Sequence, residues 1–139
     1  MSVPLLATLL EAEHAAVYGY GVLGARLDDT ARRGALAAFD SHRARRDQLI
    51  ALLRERGATP QAPLAAYDVT AGSSRQALAL AVRLEEGLSV RWRDLVAGTD
   101  DPALRALAVA GLRETAVRAA QWRTEAGITP ATVALPGTA

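Results

Sequence analysis

Residues 57–73 hold Gly57, Pro60, Pro63 and Gly72 and no sustained hydrophobic period, and they divide the chain into two patterned halves. Before this stretch, apolar residues recur at helical spacing from Val3 to Arg26 or Leu27 (α1) and from Ala31 to Arg56 (α2). After it, the same spacing runs from the Ser73/Gln76 capping box to Gly98 (α3), and from Asp101-Pro102, an N-cap with proline at the first helical position, to Gly127 (α4). Each predicted helix is about 24–26 residues, or about 36–40 Å long. The short turns near residues 28–30 and 99–101 force α1 against α2 and α3 against α4 as antiparallel hairpins. The central stretch is much longer than an ordinary bundle connection. Extended, it reaches about 55 Å, enough to run the length of a helix. The expected fold is therefore all-α: a four-helix bundle of two antiparallel hairpins with one long crossover between α2 and α3. It forms a single domain over residues 1–139. The tail, 128–139, contains Pro130 and Pro136 and is expected to be extended, with Val133 and Leu135 packed on the bundle or on a partner subunit.

Composition narrows the chemistry. Of the 139 residues half are hydrophobic but only 4% aromatic, so Ala, Leu and Val dominate and favour helix. The absence of cysteine excludes disulfides, thiolate metal sites and thiol nucleophiles. All 16 basic side chains are Arg, which reads as coding bias of a GC-rich genome and excludes lysine-based covalent catalysis. The net charge of +1 offers no strong field for nucleic acid. Arg32, Arg33, Arg43, Arg45 and Arg46 spread around α2 among Asp40, Asp47 and Glu55, as on a solvated face. Met1–Leu10 is too short for a membrane span and lacks the basic start of a signal peptide. The expectation is a soluble, cytoplasmic protein with neither nucleic-acid nor membrane partners. No phosphate loop, dinucleotide fingerprint or Ser/His/Asp grouping is present.

Every predicted core stripe is interrupted near its middle. On α1 the stripe reads Leu6, Leu9, Glu13, Ala16, Tyr20, Leu23 and Leu27; on α2, Phe39, His42, Arg46, Leu49 and Leu53. On α3 it reads Leu78, Val82, Glu85, Ser89, Trp92 and Val96; on α4, Ala103, Leu107, Ala110, Glu114, Val117 and Gln121. Counted from their turns, Glu13, His42, Glu85 and Glu114 lie within about 5 Å of one height. The separation from Glu13 to His42 equals that from Glu85 to Glu114, 29 residues. Three carboxylates and a histidine converging inside a bundle need counter-charge. Three arrangements stay open at this point: a metal held by Glu13, His42, Glu85 and Glu114; an internal network neutralised by Arg46, with Arg43 or Arg118 as further sources; or side chains that reach water from the stripe edges. His14, one residue off the stripe, reads as a surface or interface residue.

The segments Glu13-His14-Ala15-Ala16-Val17-Tyr18-Gly19-Tyr20-Gly21, His42-Arg43-Ala44-Arg45-Arg46-Asp47, Leu84-Glu85, Trp122-Arg123 and Ala134-Leu135-Pro136-Gly137 span nearly the whole chain in order. In these the sequence resembles the ferritin-like superfamily, and most closely an uncharacterised, mainly actinobacterial ferritin-like family of unknown function. The resemblance implies a di-iron ligand set of one Glu on each of two helices and a Glu-x-x-His on each of the other two. Glu13, with Ala16 and Tyr20 following it, and Glu85 match the single glutamates. His42 matches one His, with Phe39 in place of its partner Glu, and Glu114 matches one Glu, with Val117 in place of its partner His. The register on α2 is uncertain by a turn, and either register leaves the ligand set incomplete.

Loss of a bridging carboxylate disfavours a two-metal centre. The leading expectation is a non-catalytic structural or binding protein with a degenerate di-iron site and no cofactor. Its central network comprises Glu13, Tyr20, His42, Arg46, Glu85 and Glu114, neutralised by Arg46. Removal of Arg46 is then expected to cost about 3–5 kcal/mol. The rival is an oxidoreductase with a reduced Fe or Mn site. An Ala-rich bundle with scattered exposed apolar residues further suggests a homodimer.

Overall fold

Local capping chemistry sets the helix ends. A computed structural model describes residues 2–138 and contains α1 (Val3–Gly24), α2 (Asp29–Glu55), α3 (Ser74–Gly98) and α4 (Pro102–Ala126), with no strand among the described residues. Met1 and Ala139, which the expected domain and tail include, lie outside the described residues. The Ser73 hydroxyl accepts the Gln76 N–H at 3.2 Å, and the Gln76 side chain reaches back to the Gly72 N–H at 2.7 Å. Asp101 accepts the N–H groups of Ala103 and Leu104 ahead of α4. α4 stops at Gly127, which takes the left-handed conformation (φ 70°) while Ile128 N–H donates to Arg123 O. α1 ends two to three residues earlier than the periodicity suggests, because Arg26 and Leu27 close a tight turn on the carbonyls of Leu23 and Gly24.

Contacts at the helix ends establish the chain's path. Ser2 hydrogen-bonds Thr99 at 3.2 Å, so the start of α1 meets the end of α3. Arg56 pairs with Asp101 at 3.5 Å, so the end of α2 meets the start of α4. The link from α2 to α3 must therefore return the full bundle length, and it does so along α1. Gln61 donates to Ala7 O at 2.6 Å, the Tyr67 and Tyr18 rings lie 5.5 Å apart, and Ala71 O accepts from Arg26 at 3.0 Å. This path corrects the reading of His14. The crossover covers that face of α1, leaving His14 only 4% exposed with Nε2 3.1 Å from Gln61 O.

Two apolar clusters make up the interior. One gathers Leu6, Leu9, Leu10, Leu49, Leu53, Leu88, Trp92, Leu95 and Leu104 at the end where the chain starts. The other gathers Leu23, Leu27, Ala35, Ala38, Leu80, Val82 and Trp122 at the opposite end. On α3, Glu85 falls between the residues of the two clusters; on α1, Glu13 lies between Leu10 and Ala16 of the first cluster, one turn before the second begins at Tyr20. The tail has no regular structure and turns back at residues 135–138, where Thr138 N–H donates to Leu135 O. Val133 and Leu135 are 50% and 68% exposed, so of the two expected supports, the bundle or a partner subunit, the bundle does not bury them. No helix is long and apolar enough to cross a membrane, among the described residues.

Candidate functional site

The centre of the bundle is polar, and each member is placed by a helix position that otherwise suits a core residue. α1 buries Leu9, Glu13, Ala16, Tyr20 and Leu23; α2 buries Ala35, Ala38, His42, Leu49 and Leu53; α3 buries Leu80, Ala81, Glu85, Leu88 and Trp92. Glu13, His42 and Glu85 therefore project inward from three helices, at 0%, 1% and 0% exposure. α4 is different. Its buried residues are Leu104, Ala108, Gly111, Thr115, Ala119 and Trp122, with no acid or base among them.

His42 lies between the two glutamates. Its Nδ1 is 3.0 and 3.2 Å from the Glu13 oxygens, and its Nε2 is 2.7 Å from Glu85 Oε2. A neutral imidazole donates from one nitrogen only, so two carboxylate partners call for the doubly protonated ring. Arg118 reaches in from the flank of α4 and donates from Nη1 to Glu85 Oε1 at 3.1 Å. The Tyr20 hydroxyl donates to Glu85 Oε2 and itself accepts Trp122 Nε1–H at 2.8 Å. The Tyr20 ring stacks on His42 with centroids 5.4 Å apart. Two carboxylates, one imidazolium and one guanidinium sum to zero charge, the condition under which such groups tolerate burial. Beside them Ser89 and Thr115 share a buried hydrogen bond of 2.8 Å.

The environment separates the two acids. Burial pushes the Glu13 carboxyl up, and the hydrogen bond and charge of His42 only partly offset this. Glu85 meets the same burial, but His42, Arg118 and Tyr20 together outweigh it and hold its carboxyl below the ordinary value. For His42, burial alone would favour the neutral ring. The hydrogen bonds and charges of Glu13 and Glu85 win and raise it from 6.5 to about 9. Burial, then the Glu85 charge, raises Tyr20 well above its ordinary value, so the phenol stays a donor.

Of the residues expected at the centre, Glu13, Tyr20, His42 and Glu85 lie together. Glu114 and Arg46 do not, and both placements are corrected. Glu114 is bound by Arg45 through two contacts, 2.5 and 3.1 Å, with its side chain 46% exposed. Arg46 pairs with its neighbour Asp47 at 2.8 Å. The α4 stripe is turned by one residue because Gly111 packs directly under the Trp92 ring, where any Cβ would overlap the indole. That close approach brings Thr115 and Trp122 inward and leaves Glu114 and Val117 outside. Val117 is 58% exposed. Arg45, the neighbour of Arg46, lies over the Trp92 ring at 5.6 Å. The internal guanidinium is Arg118, which the sequence raises only as a secondary source. Trp122 and Thr115 are further members, and the clue to them was the helical register shared by Gly111, Thr115 and Trp122; Ser89, already on the α3 stripe, joins them.

Carboxylate and imidazole are donors suited to iron or manganese. A ligating imidazole turns one nitrogen to the metal and gives its other N–H to an acceptor. Here both His42 nitrogens face carboxylates, and Arg118 sets a positive charge on Glu85. Among the described residues no group of three or more His, Cys, Asp or Glu side chains is placed to hold a metal ion. As arranged, the donor set fits a doubly protonated imidazole and a guanidinium, and does not fit a metal.

Comparison with known proteins gives a family and a solved relative. The chain is similar to a conserved hypothetical protein, rv2844, from Mycobacterium tuberculosis, known from a crystal structure. They share 33% identity over 88% of this chain and 94% of that one, with a TM-score of 0.84. No curated protein matches. The family model described as "Domain of unknown function (DUF4439)" matches residues 6–139, and the chain belongs to that family.

Proposed function

We propose that this is a non-catalytic, ferritin-like structural or binding protein in which a degenerate di-iron centre has become a charge-compensated core. One observation carries the reading: both ring nitrogens of His42 are engaged by buried carboxylates, at 3.0 and 2.7 Å. Arg118 supplies the remaining counter-charge at 3.1 Å from Glu85. A long crossover lying along α1 between two helical hairpins supports the ferritin-like assignment. In this reading Glu13, His42 and Glu85 fix the relative register of three helices. A buried polar cluster does this by penalising any slip that unpairs a charge. The location is cytoplasmic. The chain pairs with a second copy, for which exposed Leu36 and Val109 offer apolar surface, and has no nucleic-acid partner.

The rival, a reduced Fe or Mn oxidoreductase site, draws on the convergence of Glu13, His42 and Glu85 but needs Glu114, which Arg45 holds at the surface. Metal analysis after anaerobic loading with Fe(II) or Mn(II) separates the two. The proposal expects no stoichiometric metal and unchanged thermal stability with chelator. Stoichiometric metal that is lost in Glu13→Ala or His42→Ala would overturn it. Sedimentation velocity reads the dimer.

A further inference from the structure

A second feature lies outside the polar core and is independent of how that core is read. The tail does not lie flat on the bundle. It arches over α3 and α4 and is pinned at both ends. At one end Arg123 donates to Pro130 O at 3.3 Å while its Nε holds Glu86 at 2.7 Å. At the other, Gly137 sits so close to α3 that a Cβ would come within 2.7 Å of Ser89 O. Between the pins the tail borders a half-open cleft of about 1030 Å³. Its floor is kept low by small residues, Gly87 on α3 with Ala116 and Ala120 on α4, and its lining is mainly apolar. Val133 and Leu135 of the arch and Val117 of the floor border it, and all three are at least half exposed.

We propose that this cleft is a binding site for a neutral, largely apolar small molecule, such as an aliphatic chain with at most one hydroxyl or carbonyl group. Its size is of the order of known small-molecule sites, which reach about 1,000 Å³. The charged groups that border it are already spent: Arg123 and Glu86 neutralise one another. The Ser89 hydroxyl is held by Thr115 and by Glu85 O. No charge is therefore left to match an ionic headgroup. The Gln121 amide lines the cleft, has no hydrogen-bond partner among the described residues, and suits a single polar atom. A second copy of the chain is the poorer occupant, because a helix about 10 Å across would have to displace the tail, which is held at Pro130 and Gly137.

The test is fluorescence titration of the full chain with N-phenyl-1-naphthylamine, a neutral apolar probe. The expected result is saturable uptake, reversed by dodecanol and much less by dodecanoate. Ala120→Phe should weaken uptake about tenfold or more by filling the floor. Val133→Asp, at an exposed position that cannot unfold the bundle, should do the same by placing a charge in the cleft. Leu64→Asp, an exposed apolar residue on the crossover, should change nothing. Four outcomes overturn the proposal: no saturable uptake, equal uptake in Val133→Asp, displacement by dodecanoate as effective as by dodecanol, or a dimer that Val133→Asp dissociates while the probe stays unbound.

Discussion

In the first hairpin the two polar residues 29 positions apart meet inside the bundle, with His42 Nδ1 3.0 Å from Glu13. In the second hairpin the residues with the same separation part company. Glu85 is fully buried, while Glu114 stands at the surface in the grip of Arg45. The second hairpin completes the charge balance from another position, with Arg118 entering from the flank one turn after Glu114. The difference shows two ways for a helix to deliver charge to a core. A short, rigid side chain such as His must start from an inward-facing position. Arginine has a long apolar stem and can start from an edge, keeping part of its length in water; the Arg118 side chain is 19% exposed. A close helix contact can therefore be kept at Gly111 without losing the counter-charge.

That contrast can be broken from its centre outward. Glu85→Ala should have the largest effect, because it strands both His42 and Arg118. A loss of about 3–5 kcal/mol is expected in denaturant titration. The effect of pH is next. His42 has a folded value of about 9 against 6.5, so its contribution is complete below about pH 6.5 and is lost as pH rises through 9. Unfolding free energy should fall by up to about 3 kcal/mol across that window, and His42→Ala should flatten the slope. Acid acts on Glu85, whose lowered value means its stabilisation is present above its ordinary range and lost as pH falls through the folded value. Arg118→Ala should cost about 2 kcal/mol, less than a wholly buried partner because water reaches the vacated flank. Glu114→Ala and Arg46→Ala, at exposed pairs, should each stay below about 1 kcal/mol in the same titration. If Glu114→Ala cost as much as Arg118→Ala, the two hairpins would be equivalent after all.

What the sequence made legible follows the strength of its signals. Serine, aspartate and proline caps fixed α3 and α4 because each acts on neighbouring N–H groups, without help from distant packing. On α1 the stripe through Leu6, Leu9, Glu13, Ala16, Tyr20 and Leu23 coincides with the buried side, although Leu10, His14 and Gly19 beside it are buried as well. On α4 alanine and valine lie on every side, so a stripe through Leu107, Glu114 and Val117 looks as apolar as the one through Leu104, Thr115 and Trp122. The choice between them rests on the Gly111–Trp92 contact, a pairing across helices that periodicity does not contain. Periodicity also misplaces Arg46. Its spacing from His42 is that of a core position, but a guanidinium there has Asp47 beside it at the surface and turns to it. The burial of His14 under the crossover was likewise out of reach, since the path of an irregular link leaves little trace in the pattern of the helix it covers.

The central claim is that the buried His42 ring is doubly protonated and donates to two carboxylates, Glu13 and Glu85. Nitrogen-15 NMR of the His42 imidazole at pH 7.5, in protein treated with chelator and then offered Fe(II) or Mn(II) under anaerobic conditions, tests this most directly. The account predicts both ring nitrogens protonated at that pH, a titration midpoint near 9, and no change when metal is added. A neutral ring at pH 7.5, or a His42 signal broadened or shifted by stoichiometric metal, would contradict it.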